Sequence, residues 1–325
     1  MTLHENPELF KDAITATAQQ MNIAEIYVEK DYWVTLALKI VFGSDLAHDA
    51  VFKGGTALSK CYKLIERFSE DIDIVVIRRP GDTDSRLAKK IRDITKLVGT
   101  VIPEIEIEGV TTKFGMNRKT AHAYTKGDFT GELGQVREHI MVEATWLGNF
   151  EPYTTAEVSS FIAGMMQRNG QLDLINTYGL EPFVVRVLTK ERTICEKIMS
   201  LVRFSYTEEP YRDLANKIRH IYDIHMLLND AEVARFFDSE EFDQMLNTVG
   251  KDDILTYKNN NDWLSTPPQN AMIYAEPETT WAAIRQPYRT TFRDLVTGQL
   301  PDEAEMIATL NRVTVRLQKV TWNVV

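Results

Sequence analysis

Two short motifs separated by a helix-like segment constrain the fold of this chain most strongly. Residues 50–56 read AVFKGGT, an apolar strand entering a glycine turn, and residues 67–74 read RFSEDIDI, a strand that opens on two acids. With a predicted helix over 57–65 between them, they make a strand–turn–helix–strand unit. Side chains alternate between the two faces of a strand, so Asp71 and Asp73 are expected to point the same way.

The spacing of these two aspartates predicts a divalent metal site. Two carboxylates ~4 Å apart repel each other by about 4 kcal/mol at an effective dielectric near 20. A cation offsets that repulsion, and Mg²⁺ prefers one or two protein carboxylates together with phosphate oxygens. Taken alone, an Asp-x-Asp pair is more often an ordinary strand end. In combination with the glycine turn, it favours phosphoryl or nucleotidyl transfer from an NTP with Mg²⁺ or Mn²⁺.

The glycine turn predicts a phosphate site. A turn of this kind lets backbone N–H groups and the Thr56 hydroxyl face phosphates at the start of a helix. It is not a P-loop, because no second glycine directly precedes the lysine, and a glycine pair is most often a plain turn. Lys60, on the helix that follows, is expected in solvent.

Five segments in order resemble a known family. Residues 53–60 (KGGTALSK) and 67–73 (RFSEDID) resemble the nucleotidyltransferase signature, and more specifically the AbiEii/AbiGii toxin family of bacterial abortive-infection and toxin–antitoxin systems. Segments similar to that family's other motifs are 28–34 (VEKDYWV), 192–198 (RTICEKI) and 217–224 (KIRHIYDI). The resemblance implies a mixed α/β (α+β) fold, in which helices flank a nucleotidyltransferase-type sheet and a helical lobe follows.

The family resemblance also implies a third metal-binding carboxylate on a later strand. Glu143, the acid within an otherwise apolar strand-like run, is the predicted partner of Asp71 and Asp73. The alternative for Glu143 is a strand-edge glutamate paired with a basic neighbour. Asp128 and Glu106 are weaker candidates for the same role.

A second group of candidates lies on two predicted helices. Lys190, Thr193 and Lys197 share one helix face, from which a lysine can neutralise triphosphate charge. Arg219 and Asp223 stand four residues apart on the next helix, where they can simply pair. The resemblance assigns Lys197 and Asp223 to the nucleotide site. The predicted nucleotide-binding residues are Lys53, Gly54, Gly55, Thr56, Arg67, Ser69, Thr193 and Arg219.

The pattern of apolar residues changes near residue 150. We expect residues 1–150 to form the catalytic lobe, with N-terminal helices that include one over 29–42 whose acidic start suits the helix dipole. Residues 151–325 are expected to form a mainly helical lobe that closes the nucleotide cleft, beginning with a helix over 154–169.

Charge and composition limit the partners. A net charge of −10 argues against broad nonspecific binding to nucleic acid. The basic segment 111–127 is an ordinary solvated hairpin in one interpretation and a surface for an RNA acceptor in the other. No apolar run is long enough to span a bilayer, no secretory signal is evident, and two distant cysteines fit a reduced cytoplasmic protein.

These observations predict a Mg²⁺-dependent enzyme that transfers NMP from an NTP to an acceptor hydroxyl. By resemblance, the acceptor is RNA, at a tRNA 3′ end, and the chain is the toxin of a pair whose cognate antitoxin is a separate protein. The alternatives are a nucleotidyltransferase that AMPylates proteins or modifies a small molecule, and a non-catalytic NTP-binding interaction protein.

Overall fold

The computed structural model describes residues 1–113, 115–129, 136–258 and 260–324. The chain divides into two compact units. The first, the sheet unit, comprises Met1–Tyr62 and Phe68–Val187. The second, the helical unit, comprises Lys63–Arg67 and Leu188–Val325.

The sheet unit is built around one mixed sheet. Within the described residues it has seven strands in the order β3-β4-β5-β2-β1-β7-β6. Strand β1 runs antiparallel to β2 and parallel to β7, while β2 runs parallel to β5 and β4 antiparallel to β5. The strands are β1 (Ala50–Lys53), β2 (Ile72–Val76), β3 (Glu104–Ile105), β4 (Asn117–His122), β5 (Ile140–Thr145), β6 (Tyr153–Val158) and β7 (Phe183–Leu188).

Helices flank this sheet, and the predicted mixed α/β class is confirmed. The helices of the sheet unit are α1 (Pro7–Met21), α2 (Glu25–Phe42), α3 (Gly54–Lys60), α4 (Asp84–Gly99), α5 (Phe161–Arg168) and α6 (Leu172–Thr177). Ile72 and Ile74 of β2, with Val142 and Ala144 of β5, belong to the buried core that these helices share. Because strand side chains alternate, that burial leaves the acids of β2 and β5 on the opposite face.

Helix α2 differs from its prediction. It begins at Glu25, so Glu29, Lys30 and Asp31 lie inside the helix and are all buried, rather than forming its solvated first turn. Their polar atoms form hydrogen bonds elsewhere in the sheet unit, which sequence spacing does not reveal. Lys60 of α3 is likewise buried, since its ammonium donates to Asp31 Oδ1 at 2.6 Å. The expectation that Lys60 is solvated was wrong.

The region after residue 150 also differs from its prediction. Residues 153–158 form strand β6, and the helix predicted over 154–169 is confined to Phe161–Arg168. The two strands β6 and β7 belong to the sheet, so the compact division falls between Val187 and Leu188. The assignment of catalytic and cleft-closing roles to residues 1–150 and 151–325 stays a prediction.

The helical unit consists mainly of packed helices. These are α7 (Lys190–Phe204), α8 (Pro210–Ala215), α9 (Ile218–Asn229), α10 (Ala231–Phe237), α11 (Glu240–Thr256), α12 (Met272–Ala275), α13 (Pro277–Ile284), α14 (Gln286–Arg289) and α15 (Glu303–Leu317). Side-chain caps fix several starts: the Thr189 hydroxyl accepts from the Arg192 N–H, and Asp302 forms a capping box with Glu305. Among the described residues, none of the helices has the length and apolar character needed to cross a bilayer.

Candidate active site

Four charged side chains lie in one row across the sheet. The strand register pairs Lys53 with Asp73, Asp73 with Glu143, and Glu143 with Lys119. Residues that are paired across neighbouring strands point to the same face. The row therefore reads lysine, aspartate, glutamate, lysine across β1, β2, β5 and β4, with two carboxylates side by side and a cation at each end.

The flanking groups hold Glu143 in this row. Asn117 donates its amide N–H to Glu143 Oε1 at 2.9 Å, and Lys119 Nζ lies 3.9 Å from Glu143 Oε2. A basic neighbour is thus present, as the alternative interpretation of Glu143 requires. The same carboxylate also stands beside Asp73 in register, as a third metal ligand would.

Asp71 precedes β2 by one residue and shares its face with Asp73. Its carboxylate forms an ion pair with the guanidinium of Arg137. Both side chains are partly open to solvent, with 36% of Asp71 and 37% of Arg137 exposed. In this structure the Arg137 guanidinium therefore contacts one of the predicted metal ligands, Asp71.

The glycine turn meets β2 at Gly54. Its φ of +82° lies in the region that side chains other than glycine rarely adopt, and a Cβ at this position would be 2.2 Å from Asp73 Oδ2. Both observations require glycine. The absence of a side chain at residue 54 is what lets the turn approach the Asp73 carboxylate.

Thr56 and Ser69 connect the turn to the segment that leads into β2. Their hydroxyl oxygens are 3.0 Å apart, so one donates to the other, and Thr56 is almost fully buried. Thr56 therefore braces the turn through its contact with Ser69. Gly55 lies in α3 next to it, half-buried. A nucleotide-binding role for these residues stays a prediction.

The two weaker candidates for the third carboxylate lie outside the strands. Glu106 is exposed and directly follows β3, which ends at Ile105. Asp128 is exposed in a loop. Neither is in register with Asp73, which makes Glu143 the strongest of the three by position.

The carboxylates of the row suit a hard divalent cation. Mg²⁺ and Mn²⁺ select oxygen ligands, and Asp71, Asp73 and Glu143 offer carboxylate oxygens from one face of two adjacent strands. Across the described part of the chain, no three acidic, histidine or cysteine side chains converge closely enough to hold a metal as they stand. Instead, Asp71 forms an ion pair with Arg137, and Glu143 forms one with Lys119.

In the helical unit, Arg67, Lys197 and Asp223 form a buried ion triad. Arg67 donates two hydrogen bonds to the Asp223 carboxylate, at 2.7 and 2.8 Å, and Lys197 donates a third at 2.6 Å. Burial by itself would raise the pKa of Asp223, but the guanidinium and the ammonium lower it below its usual value. Asp223 is therefore ionised at neutral pH, and Lys197 is its buried partner from α7.

Three further candidates lie on α7 and α9, the helices that carry Lys197 and Asp223. The Thr193 hydroxyl donates to the Thr189 carbonyl at 2.7 Å and is buried, while Lys190 pairs with Asp230 and Glu232. Arg219 is half-buried on α9, one turn before Asp223.

The basic segment 111–127 is largely neutralised. Its lysines and arginine contact acids: Lys113 and Arg118 lie by Glu104, Lys119 by Glu143, and Lys126 by Glu138. His122 is buried, and burial lowers its pKa. These contacts favour the interpretation of an ordinary hairpin over a dedicated RNA surface.

Sequence reasoning missed three residues beside the carboxylates: Arg137, Lys30 and Glu70. Arg137 lies in the segment just before β5, which begins at Ile140. The one available signal was at Lys30, a lysine between acids that is flanked by the apolar residues Val28 and Tyr32. A charged triplet inside an apolar helix is a sign of buried partners.

Comparisons with known proteins agree with this architecture. A family profile described as the nucleotidyl transferase AbiEii toxin of type IV toxin–antitoxin systems matches residues 39–308. Among solved structures, the chain is similar to MenT4, a nucleotidyltransferase toxin from Mycobacterium tuberculosis H37Rv, with a TM-score of 0.57 and 17% identity over 95% of this chain and 90% of that one. No curated protein matches the sequence. Because the profile covers most of its length, the chain belongs to the AbiEii family of nucleotidyltransferase toxins.

Proposed function

We propose that this toxin transfers NMP from an NTP to the hydroxyl group of an RNA acceptor, with Mg²⁺ or Mn²⁺ held by Asp71, Asp73 and Glu143. The observation that carries the proposal is the row of carboxylates on one sheet face, with the Gly54 turn against Asp73. A binding protein without catalysis has no need to keep acids adjacent at the cost of their mutual repulsion.

The sheet unit supplies the groups that the reaction needs. When bound, the divalent cation supplies Lewis-acid stabilisation of charge on the phosphate oxygens. Lys53, at the end of the row next to Asp73, adds a cation for the triphosphate. The turn at Gly54 and Gly55 offers an approach free of side chains, which the Thr56–Ser69 hydrogen bond braces.

The transfer itself is a displacement at the α-phosphorus. The acceptor oxygen forms a bond to that phosphorus, and the bond from phosphorus to the bridging oxygen breaks, so pyrophosphate leaves with the electron pair. The proton of the acceptor hydroxyl needs a base within hydrogen-bond reach. Among the acids of the row, the Glu143 carboxylate is the one we propose for this task.

We further propose that Lys197 and Asp223 are required for activity, as the family resemblance implies. Asp223 holds Lys197 and Arg67 by direct hydrogen bonds, so it fixes the positions of two cations in the helical unit. Groups pre-organised in this way stabilise developing negative charge without reorganising. Arg219 and Thr193 are the accessory nucleotide-binding residues of this proposal.

The acceptor and the setting of the toxin are part of the same proposal. RNA, with a tRNA 3′ end as the specific case, remains the first acceptor to test, although the paired basic segment gives it little support. A cognate antitoxin follows from the family's type IV classification. The cytoplasm is the proposed compartment, since both cysteines are free thiols and the substrate is an NTP.

The decisive experiment follows the label from each α-³²P-NTP, with Mg²⁺, onto total tRNA and onto protein. Wild type is compared with Asp71→Asn and with the control Asp93→Asn, which removes an acid from the exposed side of α4, where it pairs with Lys89. Label on tRNA that is lost at least ~100-fold in Asp71→Asn and kept in the control supports the proposal.

Other outcomes would replace the proposal. Label on protein instead of RNA would make the chain an AMPylating enzyme. Label on neither, with growth inhibition that survives Asp71→Asn, would favour a non-catalytic interaction protein. If growth inhibition needs Asp71 and neither macromolecule is labelled, the acceptor is a small molecule.

A further inference from the structure

Helix α2 carries three consecutive buried charges, and each reaches a different segment of the sheet unit. The Glu29 carboxylate accepts the N–H of Gly127 at 2.7 Å. The Asp31 carboxylate accepts from Lys60 and from the N–H of Phe161, at 2.6 and 2.7 Å. Buried polar groups are costly unless they are hydrogen-bonded, and these bonds connect α2 to the segments around it.

Lys30, the middle residue, fixes the backbone on the N-terminal side of β5. Its ammonium donates to the carbonyl oxygens of Arg137 and His139, both at 2.5 Å, and pairs with Glu70 Oε2 at 3.1 Å. The other Glu70 oxygen, Oε1, accepts the N–H of Arg137 at 2.8 Å. The Lys30–Glu70 pair thus ties residues 137–139 to the residue directly before Asp71.

The contacts of Lys30 and Glu70 place the Arg137 backbone close to Asp71. With both its N–H and its carbonyl bound, the Arg137 backbone is held beside Asp71, and its guanidinium pairs with the Asp71 carboxylate. The pair is more than one-third exposed on each side, so a hydrated cation can reach the carboxylate. A divalent cation at Asp71 and the guanidinium of Arg137 repel each other and compete for the same oxygen.

We propose that Arg137 is the resident counter-ion of Asp71 and that a divalent cation must displace it to bind, so that Arg137 sets the metal affinity of the sheet unit. The inference rests on the proposed metal-binding role of Asp71. The free energy needed to displace the guanidinium equals the free energy of this partly exposed arginine–carboxylate pair. Once displaced, the guanidinium stays close to Asp71, because the Arg137 backbone is hydrogen-bonded to Glu70 and Lys30. Its planar group of N–H donors matches phosphate oxygens.

The test measures binding of MnCl₂ alone, without nucleotide, by the loss of the EPR signal of free Mn²⁺. Arg137→Gln removes the charge but keeps the backbone contacts to Glu70 and Lys30. We expect it to bind Mn²⁺ about two- to fivefold more tightly than wild type, because partly exposed ion pairs contribute ~0.4–1 kcal/mol. Arg137→Lys keeps the charge and should remain near wild type.

The matched control is Arg79→Gln. It removes another arginine–aspartate pair, with Asp49 at 3.2 Å, beyond the far end of β2. If Arg79→Gln tightens Mn²⁺ binding as much as Arg137→Gln, the effect is one of overall charge and the inference is overturned. Thermal unfolding of each variant verifies that the fold is retained.

The results separate this inference from the function on which it rests. Mn²⁺ binding that is lost in Asp71→Asn but not tightened in Arg137→Gln overturns the counter-ion role alone. Binding that is the same in wild type, Asp71→Asn and Arg137→Gln overturns both the metal site and the inference. Binding that is lost in Asp71→Asn and tightened only in Arg137→Gln supports both.

Discussion

The contact between Gly54 and Asp73 gives the sharpest prediction, because one methyl group tests it. In Gly54→Ala the new Cβ would stand 2.2 Å from Asp73 Oδ2. Non-bonded carbon and oxygen atoms need at least ~3.2 Å, so the Asp73 carboxylate or the turn has to move by about 1 Å. The φ of +82° adds backbone strain of about 1–2 kcal/mol.

Gly81 provides a control that separates the two effects. Its φ is +85°, but a Cβ there would meet nothing within 4 Å. Gly81→Ala therefore carries the same backbone strain without the clash, and it should lose about 1–2 kcal/mol of the free energy of unfolding. Gly54→Ala should lose more of the free energy of unfolding than Gly81→Ala, because the clash with Asp73 adds to the backbone strain.

Activity should distinguish the variants far more clearly than stability. A displacement of about 1 Å in a group that holds the reacting atoms can cost ~100-fold in rate. We expect that loss of NMP transfer from α-³²P-NTP in Gly54→Ala and near wild-type transfer in Gly81→Ala, with urea unfolding measured on both. Wild-type transfer by Gly54→Ala, or an equal loss in Gly81→Ala, would refute the reasoning.

Two further predictions concern buried charges. Burial raises the pKa of Glu29 to about 7, so the unfolded chain releases this proton first as the pH rises, and folding stability falls between about pH 4.5 and 7. Glu29→Gln should therefore be more stable than wild type by up to ~3 kcal/mol at pH 8 and no more stable at pH 4, as urea unfolding at both pH values will verify. Lys197→Met leaves Asp223 buried with one cation fewer and should lose roughly 3 kcal/mol. Lys190→Met should lose less than about 1 kcal/mol, because its partner Glu232 is mostly exposed and its partner Asp230 keeps the hydrogen bonds from two backbone N–H groups. Equal losses in urea unfolding would contradict the assignment of the buried triad.

Local patterns were sufficient to predict the elements that carry the candidate site. Strand alternation puts Asp71 and Asp73 on one face, and the glycine turn before α3 is evident from composition alone. In each case the signal lies within about twenty residues, where periodicity and turn chemistry determine the structure.

Contacts between distant segments could not be predicted in the same way. Asp223 was expected either to pair with Arg219, four residues away, or to belong to the nucleotide site; neither interpretation included the hydrogen bonds that it accepts from Arg67, which lies 156 positions earlier in the chain. Lys60 was expected in solvent because lysine is rarely buried, and only the fold brings Asp31 to it. Likewise, the short β3 and the strand β6 depend on neighbours in the sheet, which a local pattern does not contain.

The placement of Lys63–Arg67 in the helical unit limits how this protein can be dissected or recombined. A fragment that starts at Leu188 would lack Arg67, and the Asp223 carboxylate would lose both hydrogen bonds that the guanidinium donates to it. Such a fragment would bury the Asp223 carboxylate with Lys197 but without the guanidinium. An exchange of C-terminal halves between relatives would have to carry five residues from the first half with it. The helical unit is thus not a contiguous part of the chain that can be transferred by itself. Its stability depends on a segment that is translated well before the rest of it.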